Sequence, residues 1–296
     1  MKPSLISPPT LGILMMLAAY LLFTFADSTN KWLVLTGLPI LQLAFLRYGI
    51  QSVICTIETG SRGIRPGEIR ANAGLLLLRG LVLCSATAAN FYALKYLSLS
   101  MMAAIMFSAP IFVSLLSWPI LGERVGPWRW AAIAFGFIGV LIIVRPFHSS
   151  FHPAALAGLL GAISVALYSL LTRKLAHRVR PHVMQLFSST LGVVLFFPFA
   201  LWLWQPLGEG WTIGLIVWVG VTSWAGHELL TRAHKLAEAS MLMPYSYSFI
   251  IYMTLAGYLL YNELPSVFTV IGALVIVVSG LVIWYRESRV KRRALA

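Results

Sequence analysis

The sequence predicts an all-α membrane protein: ten transmembrane helices arranged as two inverted five-helix repeats, both termini cytoplasmic. Three observations predict it. Hydrophobic residues make up 59% of the 296 and charged residues only 10%, whereas a soluble domain carries about a quarter of its residues charged. Ten apolar runs approach the roughly 20 residues that cross a bilayer core as a helix. One segment also occurs twice: Ala93-Leu94-Lys95, Ser100-Met101 and Glu123 return 140 positions later as Ala233-His234-Lys235, Ser240-Met241 and Glu263. Gly80/Gly220 and Ser108/Ser248 fall on the same offset.

The runs cover residues 10–29, 39–57, 72–93, 98–119, 128–144, 154–173, 182–203, 212–233, 240–260 and 266–285. The length of the first and Asp27 inside its far end argue for an uncleaved helix rather than a signal peptide. Lys95 closes the third run, and Glu123 follows the fourth. Within the fourth, Pro110 leaves the Met106 carbonyl without its helical partner, and in the ninth Pro244 does the same to Ser240. Ala132 with Gly136 in the fifth, and Gly158, Ala162 and Ala166 in the sixth, put small residues at every fourth position for close helix packing. Trp202, Trp204 and Trp211 flank the gap between the seventh and eighth as interfacial anchors. The tenth run ends in a basic tail from Arg286 to Arg293.

Between Pro146 and Pro153 a short polar linker divides the chain into 1–147 and 148–296, each with five runs. An odd number of spans makes the second copy enter from the opposite side, the arrangement of an inverted-topology repeat. The net charge of +13 follows that topology. With a cytoplasmic N-terminus, seventeen Lys and Arg fall on inner loops and tails, against Lys31, Lys95 and Arg145 outside. The basic excess therefore reads as membrane orientation and anionic-lipid contact, not nucleic-acid binding.

Polar residues at membrane depth are costly and mark candidate sites. The first span places Tyr20, Thr24, Asp27 and Lys31 on one face, with Asp27 and Lys31 spaced to pair. The third places Arg79, Leu83, Ala86 and Asn90 on one stripe. Either Arg79 or Arg47 could hold a carboxylate or phosphate with its planar fork; for Arg47 a structural tie between helices or a reach toward a headgroup is the preferred reading. The eighth span carries His227 and Glu228, with Arg232 one turn on as a structural partner for Glu228. Glu228, with Asp27 as second candidate, is the expected site of any proton coupling. The ninth sets Tyr245, Ser248 and Tyr252 on one face, giving flat walls with polar tips. The cavity residues expected are therefore Asp27, Arg79, Asn90, His227, Glu228, Tyr245, Ser248 and Tyr252.

Other chemistries leave no trace. Neither a Gly-x-x-x-x-Gly-Lys phosphate loop nor a His-Glu-x-x-His pair nor a Gly-x-Ser-x-Gly elbow occurs, and the six histidines lack metal-ligand spacing. No enzyme, metal or cofactor is expected. Cys55 and Cys84 lie in apolar runs and suggest no disulfide.

Several motifs together resemble the drug/metabolite transporter superfamily, of the EamA type with two five-helix halves. They are Arg47; Arg79-Gly80; Ala93-Leu94-Lys95-Tyr96-Leu97; Pro110; Leu121-Gly122-Glu123-Arg124; Gly136 to Val140; His227; Ala237 to Ser240; Pro244, Tyr247, Glu263 and Ser279-Gly280-Leu281. Two departures stand out: Asn262 precedes Glu263 where Gly122 precedes Glu123, and Glu228 follows His227 where an aromatic residue is more usual. The resemblance implies a multi-pass carrier of the cell inner membrane, a monomer or homodimer. Such a carrier works by alternating access without ATP on a small organic metabolite, S-adenosylmethionine-like or otherwise polar or zwitterionic. A proton-coupled exporter of amino acids or drugs is the nearest alternative; a non-transporting scaffold or receptor, or a membrane-embedded enzyme, belongs to another class.

Overall fold

The computed structural model describes residues 8–64, 66–122, 127–148, 151–175, 178–236, 242 and 245–295. Glu123, Arg124, Arg65, Ser240, Met241 and Pro244, and the side chains of His234 and Lys235, lie outside what it describes. The helices are α1 (Pro8–Leu35), α2 (Ile40–Arg62), α3 (Pro66–Tyr96), α4 (Leu99–Met106), α5 (Ala109–Leu121), α6 (Pro127–Val144), α7 (Ala154–Leu175), α8 (Pro181–Trp202), α9 (Gly210–Leu236), α10 (Ser248–Tyr261) and α11 (Val267–Leu295). Four of them start on a proline, where the missing N–H has no helical partner to lose.

Among the described residues, seven segments are long and apolar enough to cross a membrane, α4 and α5 together counting as one (Leu99–Ile120). Three apolar helices, Trp130–Val144, Ser248–Tyr261 and Val267–Val282, fall where the fifth, ninth and tenth spans are expected but are shorter than a span. The fourth span is two helices rather than one. It breaks at Phe107–Ser108, just ahead of Pro110, and the Ser108 hydroxyl donates to the Ile105 carbonyl at 2.6 Å. The chain thus interrupts where Pro110 removes a donor from the ladder.

The repeat is visible in how the helices pack. The most extensive pairings are α1–α9, α3–α7, α2–α8 and α6–α11. Exchanging the two halves turns α1–α9 into α7–α3 and returns α2–α8 and α6–α11 to themselves. Glycines set the close approaches. A Cβ on Gly80 of α3 would meet Leu191 Cδ2 of α8 at 2.5 Å, and one on Gly220 of α9 would meet Ile50 Cβ of α2 at 2.6 Å. Gly139 and Gly272 bring α6 and α11 so near that a Cβ on Gly139 would stand 2.8 Å from the Gly272 carbonyl oxygen. Small residues at such crossings let helix backbones approach in lipid, where no hydrophobic force drives them together.

The unusual Asn262 also finds its reason. It ends α10 in the left-handed conformation (φ 54°, ψ 32°), as Gly122 ends α5 (φ 73°, ψ 13°). That conformation favours glycine, and asparagine is the residue that tolerates it next best. The two halves keep one backbone shape with different residues.

Candidate functional site

Helices α1, α2 and α3 bury a polar cluster. Asp27 on α1 accepts a long hydrogen bond from Asn90 Nδ2 of α3 at 3.4 Å. One turn along α1, Asn30 is fully buried beside the Asp27 carboxylate, and no close hydrogen bond from its amide is seen among the described residues. On α2, Arg47 is 8% exposed, its guanidinium 5.5 Å from the ring centres of both Tyr48 and Phe91. Among the described residues, Arg47 Nε, Gln51 Nε2 one turn further and Asn90 Oδ1 are all buried without a hydrogen-bond partner. Tyr48 keeps its place through its hydroxyl, 2.8 Å from that of Thr87, and through Gly192, where any Cβ would strike its ring at 2.5 Å. Buried polar groups are normally paired, so four side chains with spare capacity in one place mark a site that solvates something polar.

Arg79 sits differently. Its Nε donates to Thr172 Oγ1 at 2.8 Å, one terminal nitrogen to the Met184 carbonyl and Ser188 Oγ at 3.0 and 2.6 Å, and the other to Tyr168 Oη at 2.6 Å. The planar fork thus ties α3 to α7 and α8, using four of its five hydrogens on neutral acceptors. The sequence leaves both arginines as candidates and prefers a structural role for Arg47; the structure gives Arg79 the hydrogen bonds between helices, and none from Arg47 is seen among the described residues.

The expected pairing of Asp27 with Lys31 is not the one formed. Lys31 Nζ instead contacts Glu263 Oε1 at 2.5 Å and the Leu97 carbonyl at 2.9 Å, beside the Tyr261 ring. The Glu263 carboxylate and the Leu97 carbonyl, with the Tyr261 ring beside them, take the ammonium in place of Asp27. Glu263 Oε2 in turn accepts from the Leu99 backbone N–H at 3.1 Å, at the start of α4. This knot joins the ends of α1 and α10 to the α3–α4 turn.

Glu228 is paired with Arg232 at 2.8 Å, the helical partner one turn away. His227 faces the interior: its ring is 4.9 Å from Phe23 and 6.4 Å from Tyr168, within electrostatic reach of both Arg47 and Arg79. From Phe23 the aromatic contacts continue through Tyr20 (6.2 Å), Phe249 (5.7 Å), Phe107 (6.5 Å) and Tyr247 (5.1 Å). The series draws on α7, α9, α1, α10 and the α4–α5 break. Gly226 admits it, because a Cβ there would lie 2.6 Å from the Phe23 ring. Ser248 Oγ is buried without a partner at the start of α10, Tyr252 is half-buried and Tyr245 is exposed.

Asp27, Asn90 and His227 therefore gather around Arg47, whereas Glu228 and Tyr245 stand apart from that cluster. Asn30 and Gln51 are the polar residues that sequence reasoning missed, and Arg47 is one that it weighed but preferred as a tie between helices. The available signal was the i,i+4 spacing of Arg47 and Gln51, and of Phe23 and Asp27, on apolar helices. Among the described residues no group of His, Cys, Asp and Glu is arranged to hold a metal. A buried cation, a carboxylate and open amides beside aromatic rings can bind a polar organic solute.

Comparison with known proteins places these features in context. A profile described as the EamA-like transporter family matches twice, at residues 10–145 and 152–285. The chain is 30% identical over 292 residues to the riboflavin transporter of Vibrio cholerae, covering 96% of each chain. It is 25% identical over 281 residues to the S-adenosylmethionine uptake transporter of Rickettsia prowazekii, covering 94% of each. With the pseudopaline exporter of Pseudomonas aeruginosa it shares 27% identity over 285 residues, 95% of this chain and 97% of that one. A solved crystal structure, 19% identical, superposes with a TM-score of 0.61 over 94% of this chain and 98% of the other.

Proposed function

We propose, for a chain that belongs to the EamA-like transporter family, an ATP-independent carrier that moves a small organic metabolite by alternating access between two inverted repeats. The chain is a multi-pass inner-membrane transporter of metabolites and not an enzyme. The finer reading adds ten spans with both termini cytoplasmic, the halves 1–147 and 148–296, and a site between them. The solute is polar or zwitterionic and partly flat, S-adenosylmethionine-like in those respects.

One observation carries this reading: the unsatisfied Asp27–Asn90–Arg47 cluster lies beside an aromatic series contributed by both halves. A site built across a repeat interface opens to one side or the other as the halves rock. In this account the Lys31–Glu263 knot closes the outer end, and transport requires it to part.

Coupling to protons is the second reading, and Asp27 favours it. Among the described residues no cation forms an ion pair with this carboxylate, whereas Glu228 is already matched by Arg232. An intramembrane carboxylate of that kind is suited to take up and release a proton.

The test is counterflow in proteoliposomes without nucleotide, against amino acids, nucleosides, S-adenosylmethionine and flavins. Exchange of a trace solute against its own pool supports a carrier. Absence of exchange across the panel, with protein shown to be inserted, rejects it.

A further inference from the structure

We propose that Arg47 and Asp27 together read the head group of an α-amino acid, Arg47 taking its carboxylate and Asp27 its ammonium. This rests on the carrier reading and names the solute class that the site selects.

The two arginines differ in what each has left to give. Arg79 gives four hydrogens to Thr172, Met184, Ser188 and Tyr168, and no acceptor in its surroundings calls for a further ligand. Arg47 is nine-tenths buried, yet no hydrogen bond from its guanidinium is seen among the described residues. Two aromatic faces hold it from the sides, each 5.5 Å away. Rings stabilise the charge of a guanidinium over its plane but leave its N–H edges unsatisfied. Those edges form a fork shaped for two oxygens of one carboxylate.

Asp27 complements it. The two charges lie within electrostatic reach of each other, but no direct ion pair between them is seen among the described residues. Asn90 supports the carboxylate from one side at 3.4 Å. An opposed carboxylate and guanidinium held apart at membrane depth make a dipole that a zwitterion of the opposite sense completes, and burial strengthens both contacts. Asn30, beside Asp27 on α1, and Gln51, one turn from Arg47 on α2, add further amide groups to the cluster. Phe23, one turn before Asp27, starts the aromatic series, so the rest of the solute runs from the head group along rings rather than into polar surroundings.

The arrangement thus discriminates by the head group and tolerates different flat or apolar remainders. Free methionine and S-adenosylmethionine carry that head group; riboflavin does not.

The experiment is counterflow of labelled S-adenosylmethionine, methionine and riboflavin in proteoliposomes, followed by competition against whichever solute exchanges. The competitors are methionine, methioninamide (carboxylate neutralised) and N-acetylmethionine (ammonium neutralised). In the wild type each blocked analogue is expected to compete about tenfold or more weakly than methionine, as loss of a charged partner at a buried site implies. Arg47→Gln is expected to shrink the methionine–methioninamide difference to about twofold while keeping the N-acetylmethionine difference. Asp27→Asn is expected to do the converse. Arg47→Lys supplies the same ratio if Arg47→Gln inserts poorly, since it keeps the charge and loses the fork. A residue that only ties helices together would change activity without changing these ratios. Equal competition by all three compounds, or exchange of riboflavin with none by the amino acids, overturns the proposal and leaves the carrier standing. No exchange of any of the three solutes overturns the head-group proposal, whereas the carrier reading falls only if the wider panel of amino acids, nucleosides and flavins also fails to exchange.

Discussion

Phe107 and Tyr247 occupy equivalent places in the two halves, 140 positions apart, and their rings lie 5.1 Å from each other. Residues related by a two-fold axis touch only where they sit beside that axis. Both also stand at a helix interruption: Phe107 ends α4 and Tyr247 precedes α10, with nearly the same backbone (φ −67°, ψ −7° and φ −65°, ψ −12°). The axis therefore runs past the two broken spans, next to the aromatic series of the candidate site.

The glycine crossings give the first prediction. Gly80 and Gly220 are repeat-equivalent, but a methyl on Gly80 meets the mobile end of Leu191, whereas one on Gly220 meets the Cβ of Ile50. Gly220→Ala is expected to cost about 1–3 kcal/mol as an overpacked contact, and Gly80→Ala less, because Leu191 can rotate away. Thermal unfolding in detergent measures the order; equal losses would mean that the two contacts do not differ as described.

The two arginines should separate cleanly by readout. Arg79→Lys keeps the charge but loses the fork between α3, α7 and α8, and is expected to lower the melting temperature by several degrees. Arg47→Lys is expected to leave melting nearly unchanged and to weaken solute binding about tenfold or more. Melting curves and binding isotherms on the same preparations check both; the opposite assignment would restore Arg79 as the ligand-holding residue.

Lys31→Met should destabilise the protein by about 2–3 kcal/mol, because it leaves Glu263 without its partner in a setting where only 26% of that side chain is exposed. The double substitution Lys31→Met with Glu263→Gln is expected to recover part of the loss, since removing both charges ends the uncompensated burial. A double-mutant cycle on unfolding measures the coupling, and simple additivity would show that the contact contributes nothing.

Proton coupling, where present, should depend on Asp27 more than on Glu228. An imposed pH gradient is expected to drive accumulation in wild-type and Glu228→Gln proteoliposomes and to fail in Asp27→Asn. If Glu228→Gln loses the response and Asp27→Asn keeps it, the roles are exchanged.

Much of this organisation was legible in the sequence because it is periodic or local. The 140-position offset registered equivalent residues correctly enough that Phe107 meets Tyr247 and Gly122 matches the backbone of Asn262. Pro110 marked the break in the fourth span. The partners of polar residues were not legible in the same way. Lys31 finds Glu263 from 232 positions away, and no spacing rule on α1 can anticipate it. Likewise the depth of an arginine along a helix says nothing of which acceptors the neighbouring helices supply. Thr172 and Tyr168 from α7, with Ser188 from α8, satisfy Arg79, while Arg47 lies between two rings with no hydrogen bond seen among the described residues.

The most direct measurement of the central claim is the accessibility of the site from each face of the membrane. Asn90→Cys, in protein whose Cys55 and Cys84 are replaced by alanine, is exposed to a membrane-impermeant maleimide from either side of sealed proteoliposomes, with and without the exchanged solute. The account predicts modification from both sides, slowed by solute, and loss of outside modification alone when Lys31→Cys and Glu263→Cys are joined by a short cross-linker, with the reactive cysteine at position 90 left free. Modification from one side only, unaffected by solute, would contradict it.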